Sequence, residues 1–481
     1  MKIKELVSKL SGILSINGST NADITSIVYD SRKAGKGSLF VAIKGMSADG
    51  HEFIPQALEK GAVAVIGERD LKLENAVYIR VASSRRALAQ SSAWFYGYPA
   101  RKLKLIGVTG TNGKTTTTYL VKAMLDEAGI KTGVIGTIGN WIGNKLLPAE
   151  RTTPESLELN QLFSQMLEEG VEYVAMEVSS HSLKLSRVDG IEFEVGIFTN
   201  LTQDHLDFHR TFEDYFNSKK KLFDFSRKAV INADDESGQK LIKLLDIPVT
   251  SYAIENKADL KAENVKITAG GVSYDLMVGS RRVQVSYRVP GRFSVYNSLA
   301  AIAAGLALGL SPDTMTKALE KVEGVPGRFE VVKSGQDFTV IVDYAHTPDG
   351  LENVLKTIKN FCTGRIITVF GCGGDRDKKK RPIMGKIASE LSDYCIITSD
   401  NPRSEDPEAI IGEIEKGITA GNYEIIPDRK DAIKRAIEIA EKNDVVLIAG
   451  KGHENYQILK DKVIHFDDKE VAAEFLRKRG S

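Results

Sequence analysis

The sequence predicts an α/β chain of three domains, with a mainly parallel sheet in the middle and a second open sheet toward the C-terminus. Three observations predict it. Short β-branched runs alternate with amphipathic helical stretches from residue 103 onward; the alternation starts afresh near Phe338; and a glycine-rich loop stands between the first of these strands and its helix. At 481 residues the chain exceeds what one hydrophobic core serves. Turn-rich joints at Tyr98-Pro99 and Val325-Pro326-Gly327 divide it into residues 1–98, 99–327 and 328–481.

Taken in order, residues 1–14 read as a short amphipathic helix. A strand is predicted over residues 103–108, and the helix after it carries Leu120, Ala123, Met124 and Ala128 on one face. Further strands are predicted at residues 132–135, 173–178, 195–199 and 229–232. Residues 265–289 alternate like antiparallel hairpins and belong at the edge of this central domain. The second series has strands at residues 339–342, 366–370, 394–398 and 445–448, the pattern of a Rossmann-like α/β domain.

Composition narrows the function classes. With 65 Lys+Arg against 64 Asp+Glu, nothing draws the whole chain toward nucleic acid or an anionic membrane, so any basic site must be local. Cys362, Cys372 and Cys395 form no CxxC pair, which speaks against a disulfide framework or a zinc knuckle and for a reducing compartment. The most apolar run, residues 299–310, is too short to span a bilayer, and residues 1–14 lack the features of a signal peptide. A cytoplasmic monomer is expected, without nucleic acid and without membrane insertion.

The loop Gly107-Val-Thr-Gly-Thr-Asn-Gly-Lys-Thr-Thr follows a strand and opens a helix. In that setting the backbone N–H groups of Gly110, Thr111, Asn112, Gly113, Lys114, Thr115 and Thr116 cradle phosphates. The strict P-loop pattern has glycine where this chain has Val108, so the match is to Gly110-x-x-Gly113-Lys114-Thr115. Lys114 would offset charge on the outer phosphates of ATP and Thr115 would ligate Mg²⁺. The central domain is thus read as a P-loop mononucleotide-binding sheet.

Glu177 ends a predicted strand in Met-Glu-Val-Ser-Ser-His, and carboxylates at that end of a parallel strand face the ligand crevice, so it is a candidate metal ligand. Asp204-His205-x-Asp207-x-His209 follows the next strand in a chain with seven histidines. Lys219 shares one helical stripe with Phe212, Tyr215, Phe216 and Phe223, while Lys220 and Lys221 fall off it. Two readings stand open for Lys219. It is either a snorkelling lysine, or a desolvated amine that CO₂ converts to a carbamate able to hold Mg²⁺.

These residues, with Gly291-Arg-Phe-x-x-Tyr-Asn297, Gly327-Arg328-Phe-Glu and Asp343-Tyr-Ala-His346-Thr-Pro, resemble the Mur ligases, relatives of folylpolyglutamate synthetase, and occur in that family's order over nearly the whole chain. The resemblance implies coupling of ATP hydrolysis to amide formation through an acyl phosphate, with Lys114, Lys219 and His205 as the catalytic set. It implies that Lys219 is carboxylated, that Glu177 and His205 join it on magnesium, and that Asn297 and Arg328 contact the nucleotide. Asp343 and His346 are either nucleotide-facing or part of a structural turn.

In the N-terminal part, Val28-Tyr29-Asp30-Ser31-Arg32 and Gly37-Ser-Leu-Phe-Val-Ala resemble the UDP-sugar domain of the ligases that add the third residue of the peptidoglycan stem peptide. There Ser31 corresponds to a UDP-sugar contact, and Thr152, Thr153, Ser179 and Arg187 to muramoyl-dipeptide contacts; many relatives carry glutamine where this chain has Leu185. Near the C-terminus, Asp400-Asn401-Pro402-Arg403 lies just past a predicted strand. An arginine there can grip a carboxylate bidentately and an aspartate can accept from an ammonium, which suits a zwitterionic head group. In the family that motif marks enzymes adding meso-diaminopimelate, and Arg376, Gly450 and Glu454 resemble the remaining contacts. The implied reaction joins meso-diaminopimelate to the D-Glu of UDP-N-acetylmuramoyl-L-Ala-D-Glu. The alternatives are the same ligation with L-lysine, or an ATPase switch that joins nothing.

Overall fold

Strands form where β-branched runs can be buried on both faces. Thr132–Ile135, Val195–Phe198, Ala229–Asn232 and Ile366–Phe370 are buried at every position, as parallel strands covered by helices must be. The computed structural model describes residues 1–45, 48–205, 208–268 and 270–480 as a mixed α/β protein. It divides into two units, one of Met1–Gly107, Ile130–Gly196 and Ser218–Arg227, the other of Val108–Gly129, Ile197–Asn217 and Lys228–Ser481.

The first unit holds a five-stranded sheet in the order Ile13–Asn17, Val77–Val81, Ala62–Gly67, Ser38–Val41, Ser26–Val28, antiparallel only in its first pair. Ala87, Leu88 and Trp94 of the helix Ser84–Phe95 pack on Leu39, Ala64, Ile66 and Ile79 of that sheet. The N-terminal helix is shorter than predicted. It spans Ile3–Val7, because Ser11 and Gly12, the latter at φ +71°, turn the chain into the strand Ile13–Asn17. Elsewhere in this unit Tyr173–Glu177 runs parallel to Thr132–Ile135, and a hairpin of Asn140–Ile142 and Lys145–Leu147 continues from it. Sequence reasoning missed that hairpin, whose three-residue strands are too short to display an alternation.

In the second unit the helix Lys114–Glu127 buries Leu120, Val121, Met124 and Leu125. Ala123 is only half-buried and Ala128, the C-cap, is exposed, so the apolar face is turned from the one the sequence predicts. Ala229–Asn232 and Val249–Ala253 pair in parallel, and the antiparallel strands Leu260–Thr268, Gly271–Val278 and Arg281–Tyr287 extend the sheet to its edge. The six-stranded C-terminal sheet runs Glu330–Val332, Thr339–Asp343, Val445–Ala449, Ile366–Phe370, Tyr394–Ile397, Tyr423–Ile425, parallel except at its first pair. Among the described residues no helix is long and apolar enough to cross a membrane.

The ends of two of these strands are tied by one buried side chain. Arg429, at the start of the helix Arg429–Ile439, donates to both carboxylate oxygens of Asp468 at 2.8 and 2.7 Å. It also donates to the carbonyls of Ala449 at 2.9 Å and Ser399 at 3.4 Å, the residues just before Gly450 and Asp400. A buried ion is tolerated only when paired and hydrogen-bonded, and Arg429 meets both conditions. Arg429→Met should therefore cost about 3–5 kcal/mol of stability, read as a lowered urea midpoint, because it leaves Asp468 buried and alone. Replacing both partners with apolar residues should cost much less.

Candidate functional site

The second unit contains the phosphate loop. Gly110 and Gly113 hold φ +152° and +85°, and the space beside them is taken: a Cβ would lie 1.8 Å from Thr199 Oγ1 at Gly110 and 2.5 Å from Asn297 Oδ1 at Gly113. Only glycine fits either place. Gly113 is also the N-cap of the helix Lys114–Glu127, so no side chain caps the turn that the sequence assigns to phosphate. Thr199 Oγ1 donates to Asn112 O at 2.6 Å, and Asn200 Oδ1 accepts from the Asn112 N–H at 2.9 Å, which fixes the loop from below.

A cavity of about 360 Å³ opens beside this loop, lined by Asn112, Gly113, Thr116, Asn297, Arg328 and His346 among others. Gly110, Thr111, Lys114 and Thr115 stand outside its lining. Lys114 Nζ donates to the carbonyls of Gly110 and Thr111 at 2.9 Å each, Thr111 shares a hydrogen bond with the Tyr215 hydroxyl at 3.1 Å, and Thr115 accepts from Arg328 Nη2 at 3.1 Å. The Arg328 guanidinium lies over the Tyr344 ring, 4.5 Å from its centroid.

Asp343 and His346 belong both to this cavity and to the turn beside it. They line the cavity, and they also build its wall: Asp343 accepts from the N–H groups of Phe329 at 2.6 Å and Ala345 at 2.7 Å, and His346 Nδ1 meets the Tyr344 carbonyl at 2.7 Å. Burial, reinforced by Lys380, lowers the His346 pKa to about 4, so it lines the cavity as a neutral ring. Tyr296, Asp234 and Asp349 line the cavity as well, and sequence reasoning missed them. Tyr296 was inside a quoted motif; Asp349, which accepts from Asn112 Nδ2 at 2.6 Å, carries no local signal.

Asp204 is buried with His205 Nε2 3.3 Å from its carboxylate. Burial opposes its ionisation, but His205, Lys380 and His346 outweigh it and hold the carboxyl below its ordinary pKa. His205 adopts φ +54°, in the left-handed region, with its ring partly exposed. Asp207 lies outside the described residues.

In the first unit Glu177 is 1% exposed at the end of its strand. Its carboxylate accepts from the Thr137 N–H at 2.8 Å and the Thr137 hydroxyl at 3.0 Å, and glycine at 136 lets it approach. Thr137 Oγ1 also lies 3.1 Å from the Thr152 hydroxyl, which can donate to it, Thr153 donates to the Glu177 carbonyl at 2.8 Å, and Ser179 N–H donates to Thr153 Oγ1 at 3.1 Å. Arg187 Nη1 donates to Thr153 O at 2.9 Å. The structure thus joins Thr152, Thr153, Glu177, Ser179 and Arg187 in one polar network, with Thr137 as the link the sequence did not reveal. Ser31 is buried and donates to Gln56 Oε1 at 2.6 Å.

Lys219 belongs to the same unit and is 1% exposed, which removes the snorkelling reading, since a snorkelling head stays in water. Tyr215, Phe216, Leu222 and Phe223 are buried with it on the helix Phe212–Asp224; Phe212 is exposed, so the stripe starts one turn later than predicted. Among the described residues no three His, Cys, Asp or Glu side chains gather as metal ligands. The expected magnesium set has only Glu177 and His205 of those types, so it fits this chain only with oxygen from elsewhere, such as a carbamate on Lys219 or phosphate.

The C-terminal residues come together around the strand ends. Asn401 Nδ2 donates to Glu454 Oε2 at 2.7 Å, Arg403 Nη1 donates to Gly374 O at 2.8 Å, and Arg376 Nη1 donates to Asp375 O at 2.8 Å. Arg403 takes φ +54° after Pro402. Gly450, at φ +117°, leaves room for Asp400, whose Oδ2 would stand 3.1 Å from a Cβ there. Asp400 is 6% exposed, and its Oδ1 has no hydrogen-bond donor. A buried acceptor without a donor is costly, and a ligand ammonium would supply one. Lys451, buried in the same cluster, was overlooked.

Comparison with known proteins agrees with this layout. Three family models match along the chain: "Mur ligase family, catalytic domain" over residues 23–96, "Mur ligase middle domain" over 108–305 and "Mur ligase, glutamate ligase domain" over 327–452. A Clostridium acetobutylicum protein named UDP-N-acetylmuramoyl-L-alanyl-D-glutamate--2,6-diaminopimelate ligase 1 is 53% identical over 99% of this chain and 100% of its own. A Clostridioides difficile protein named as the same ligase is 50% identical over 99% and 100%. A solved structure with that ligase name aligns with TM-score 0.70 and 32% identity over 100% of this chain and 99% of its own. The Thermotoga maritima MurF ligase in complex with ADP shares the fold at TM-score 0.64 and 21% identity, over 94% of this chain and 98% of its own.

Two outcomes follow from the cavity. Gly113→Ala should weaken ATP binding at least about tenfold in calorimetry, since the methyl group must displace Asn297 in a left-handed backbone. The His346 ring, neutral down to a pKa of about 4, should show no NMR titration between about pH 5 and 8.

Proposed function

The chain belongs to the Mur ligase family, and from that premise we propose that it joins meso-diaminopimelate, through an amine, to the D-Glu side-chain carboxylate of UDP-N-acetylmuramoyl-L-Ala-D-Glu in peptidoglycan precursor synthesis. It is an ATP-dependent ligase that forms an amide bond. The observation that carries the choice of amino acid is the donor-less Oδ1 of Asp400 beside Glu454 and Arg403: acceptors for an ammonium and a guanidinium for a carboxylate in one buried cluster. Names borne by relatives of about half identity over their full lengths point the same way.

A carboxylate is a poor acyl donor, and ATP supplies the phosphoryl group that makes it a good one. The loop at Gly110–Thr116 would hold the phosphates by backbone N–H groups, and Lys114 would offset the charge that develops on the transferred group. Glu177, His205, Thr115 and a carbamate on Lys219 would hold magnesium, which screens the phosphoryl oxygens. Thr152, Thr153, Ser179 and Arg187 would orient the dipeptide, and Ser31 its UDP-sugar. With one zwitterionic end of diaminopimelate held by Arg403, Arg376, Asp400 and Glu454, the amine at the other end is left to attack the acyl carbon. The new C–N bond replaces the C–O bond to phosphate, which departs. Positioning supplies most of the acceleration. The same reading makes the enzyme a cytoplasmic monomer of three domains, split near residues 98 and 327.

Product analysis by mass spectrometry with ATP, the UDP-dipeptide and competing meso-diaminopimelate and L-lysine should yield the diaminopimelate amide. A preference for lysine, or ADP release with no new amide, would overturn the assignment. Lys219→Ala should lower turnover by about 100-fold or more, and formate or acetate should restore part of it by standing in for the carbamate. Full activity of that variant would refute the carbamate.

A further inference from the structure

The amino-acid cluster contains a cation that the reaction does not consume. Lys451 is 0% exposed, with its Nζ set among carboxylates. Its Nζ donates to the Tyr456 carbonyl and reaches Asn401 Oδ1 and Glu454 Oε2 at 3.4 Å each. Asp400 Oδ1 stands 3.9 Å away, and the Tyr456 ring centroid lies 5.5 Å from Nζ. Asp400 and Glu454, which the proposed function assigns to the substrate's ammonium end, and Asn401 beside them thus face this one buried lysine. Asn401 is held from the other side as well, since its Oδ1 accepts from the Ile458 N–H at 2.9 Å, and Gln457 Nε2 donates to the Asp400 carbonyl at 2.7 Å.

Two carboxylates buried side by side repel each other and resist ionisation. Glu454 shows this: burial first, then Asp400, raise its pKa, while Lys451 and Asn401 work against both. A carboxylic acid that has taken up a proton no longer offers an ammonium a charge to meet. We propose that Lys451 is a positioning residue for the amino-acid substrate, a buried cation that orients Asn401 and Glu454 and keeps Glu454 charged beside Asp400 for the incoming ammonium. This rests on the ligase reading and names the group that makes its acceptor site work. Lys451 does not touch the reacting atoms.

Other titratable and charged groups face the pair as well, among them the Tyr456 phenol, whose pKa is raised first by burial and then by Glu454. Tyr344 donates to Glu454 Oε1 at 3.4 Å, and burial keeps that phenol protonated. Arg429 is committed to Asp468 and to two carbonyls. Arg403 and Arg376 serve the carboxylate end, and Arg403 is bonded to Gly374. None of these can replace Lys451 at the Asn401–Glu454 contact.

The test compares the purified wild type with Lys451→Met and Lys451→Arg, measuring KM for meso-diaminopimelate, ATP and the UDP-dipeptide across pH. Without the lysine cation the Glu454 pKa rises further, so Glu454 is more often protonated at low pH and recovers its charge as pH rises. Lys451→Met should therefore raise the KM for diaminopimelate at least about tenfold at the acidic end of the profile, the factor a single pKa unit carries, with the ratio to wild type shrinking as pH rises. The KM for ATP and the UDP-dipeptide should stay within about threefold, and Lys451→Arg should restore the wild-type profile. A diaminopimelate KM that is unchanged, or raised by the same factor at every pH and together with that for ATP, overturns the inference. Should Lys451→Met not fold, Lys451→Arg carries the test, and a profile displaced despite its retained charge overturns it. Wild-type enzyme that makes no diaminopimelate amide overturns the functional reading and this inference together, whereas wild-type ligation with an unmoved Lys451→Met profile overturns the inference alone.

Discussion

Parallel strands buried on both faces must all stop along one edge, and the polar residues of the C-terminal sheet follow from that constraint. Thr339–Asp343, Ile366–Phe370, Tyr394–Ile397 and Val445–Ala449 have almost no polar side chains of their own, so their cost of burial is low and their backbone groups are satisfied by one another. Where the pairing ends, the next residues have to find partners elsewhere. Asp343 closes one of these strands, Gly450 follows another and Asp400 stands just past a third, which is why the cavity wall and the cluster of Asp400 and Glu454 both begin there. Arg429 extends the constraint by binding the carbonyls just before Asp400 and Gly450, so neither loop can move away from its strand without losing a buried hydrogen bond to that guanidinium.

Close approach of backbone to side chain does the same for the phosphate loop. The loop is shaped by Thr199 and Asn297, which occupy the volume that any Cβ at Gly110 or Gly113 would need. Lys114 folds back on the carbonyls of its own loop, which holds the ammonium next to the turn it is meant to serve. A turn held in this way by packing keeps its main-chain shape without any side-chain cap.

How far these features were legible in the sequence depended on whether the signal was local. Thr132–Ile135, Ala229–Asn232 and Ile366–Phe370 fall where their β-branched runs put them, because burial on both faces leaves an unbroken apolar word in the sequence. The hairpin at Asn140–Leu147 and the strand Val249–Ala253, with its Thr and Ser, have no such word; partners in the sheet made them strands. The helix face of Leu120, Val121, Met124 and Leu125 was misjudged through counting alanines, which pack equally well inside or out. For single residues the same holds. Lys219 could be singled out because a charge on an apolar stripe is conspicuous, whereas Thr137, Asp349 and Lys451 acquire their roles from partners 40, 237 and 50 positions away, and no spacing rule reaches that far.

A nearly neutral chain can still hold sites of opposite character, and the two units do so by different means. In the first, Glu155 is met by three guanidinium groups, Arg151 at 2.7 Å, Arg187 at 2.9 Å and Arg85 at 3.5 Å, so one carboxylate is outnumbered beside the polar network of Thr153 and Ser179. In the second, Asp400, Glu454 and Lys451 face Arg403 and Arg376 in a cluster with both signs at short range. Such a cluster gains little from a ligand of one charge and most from one that carries both, since each end then meets its opposite in a buried setting. Overall charge says nothing of this; the difference lies in how each unit pairs its buried ions.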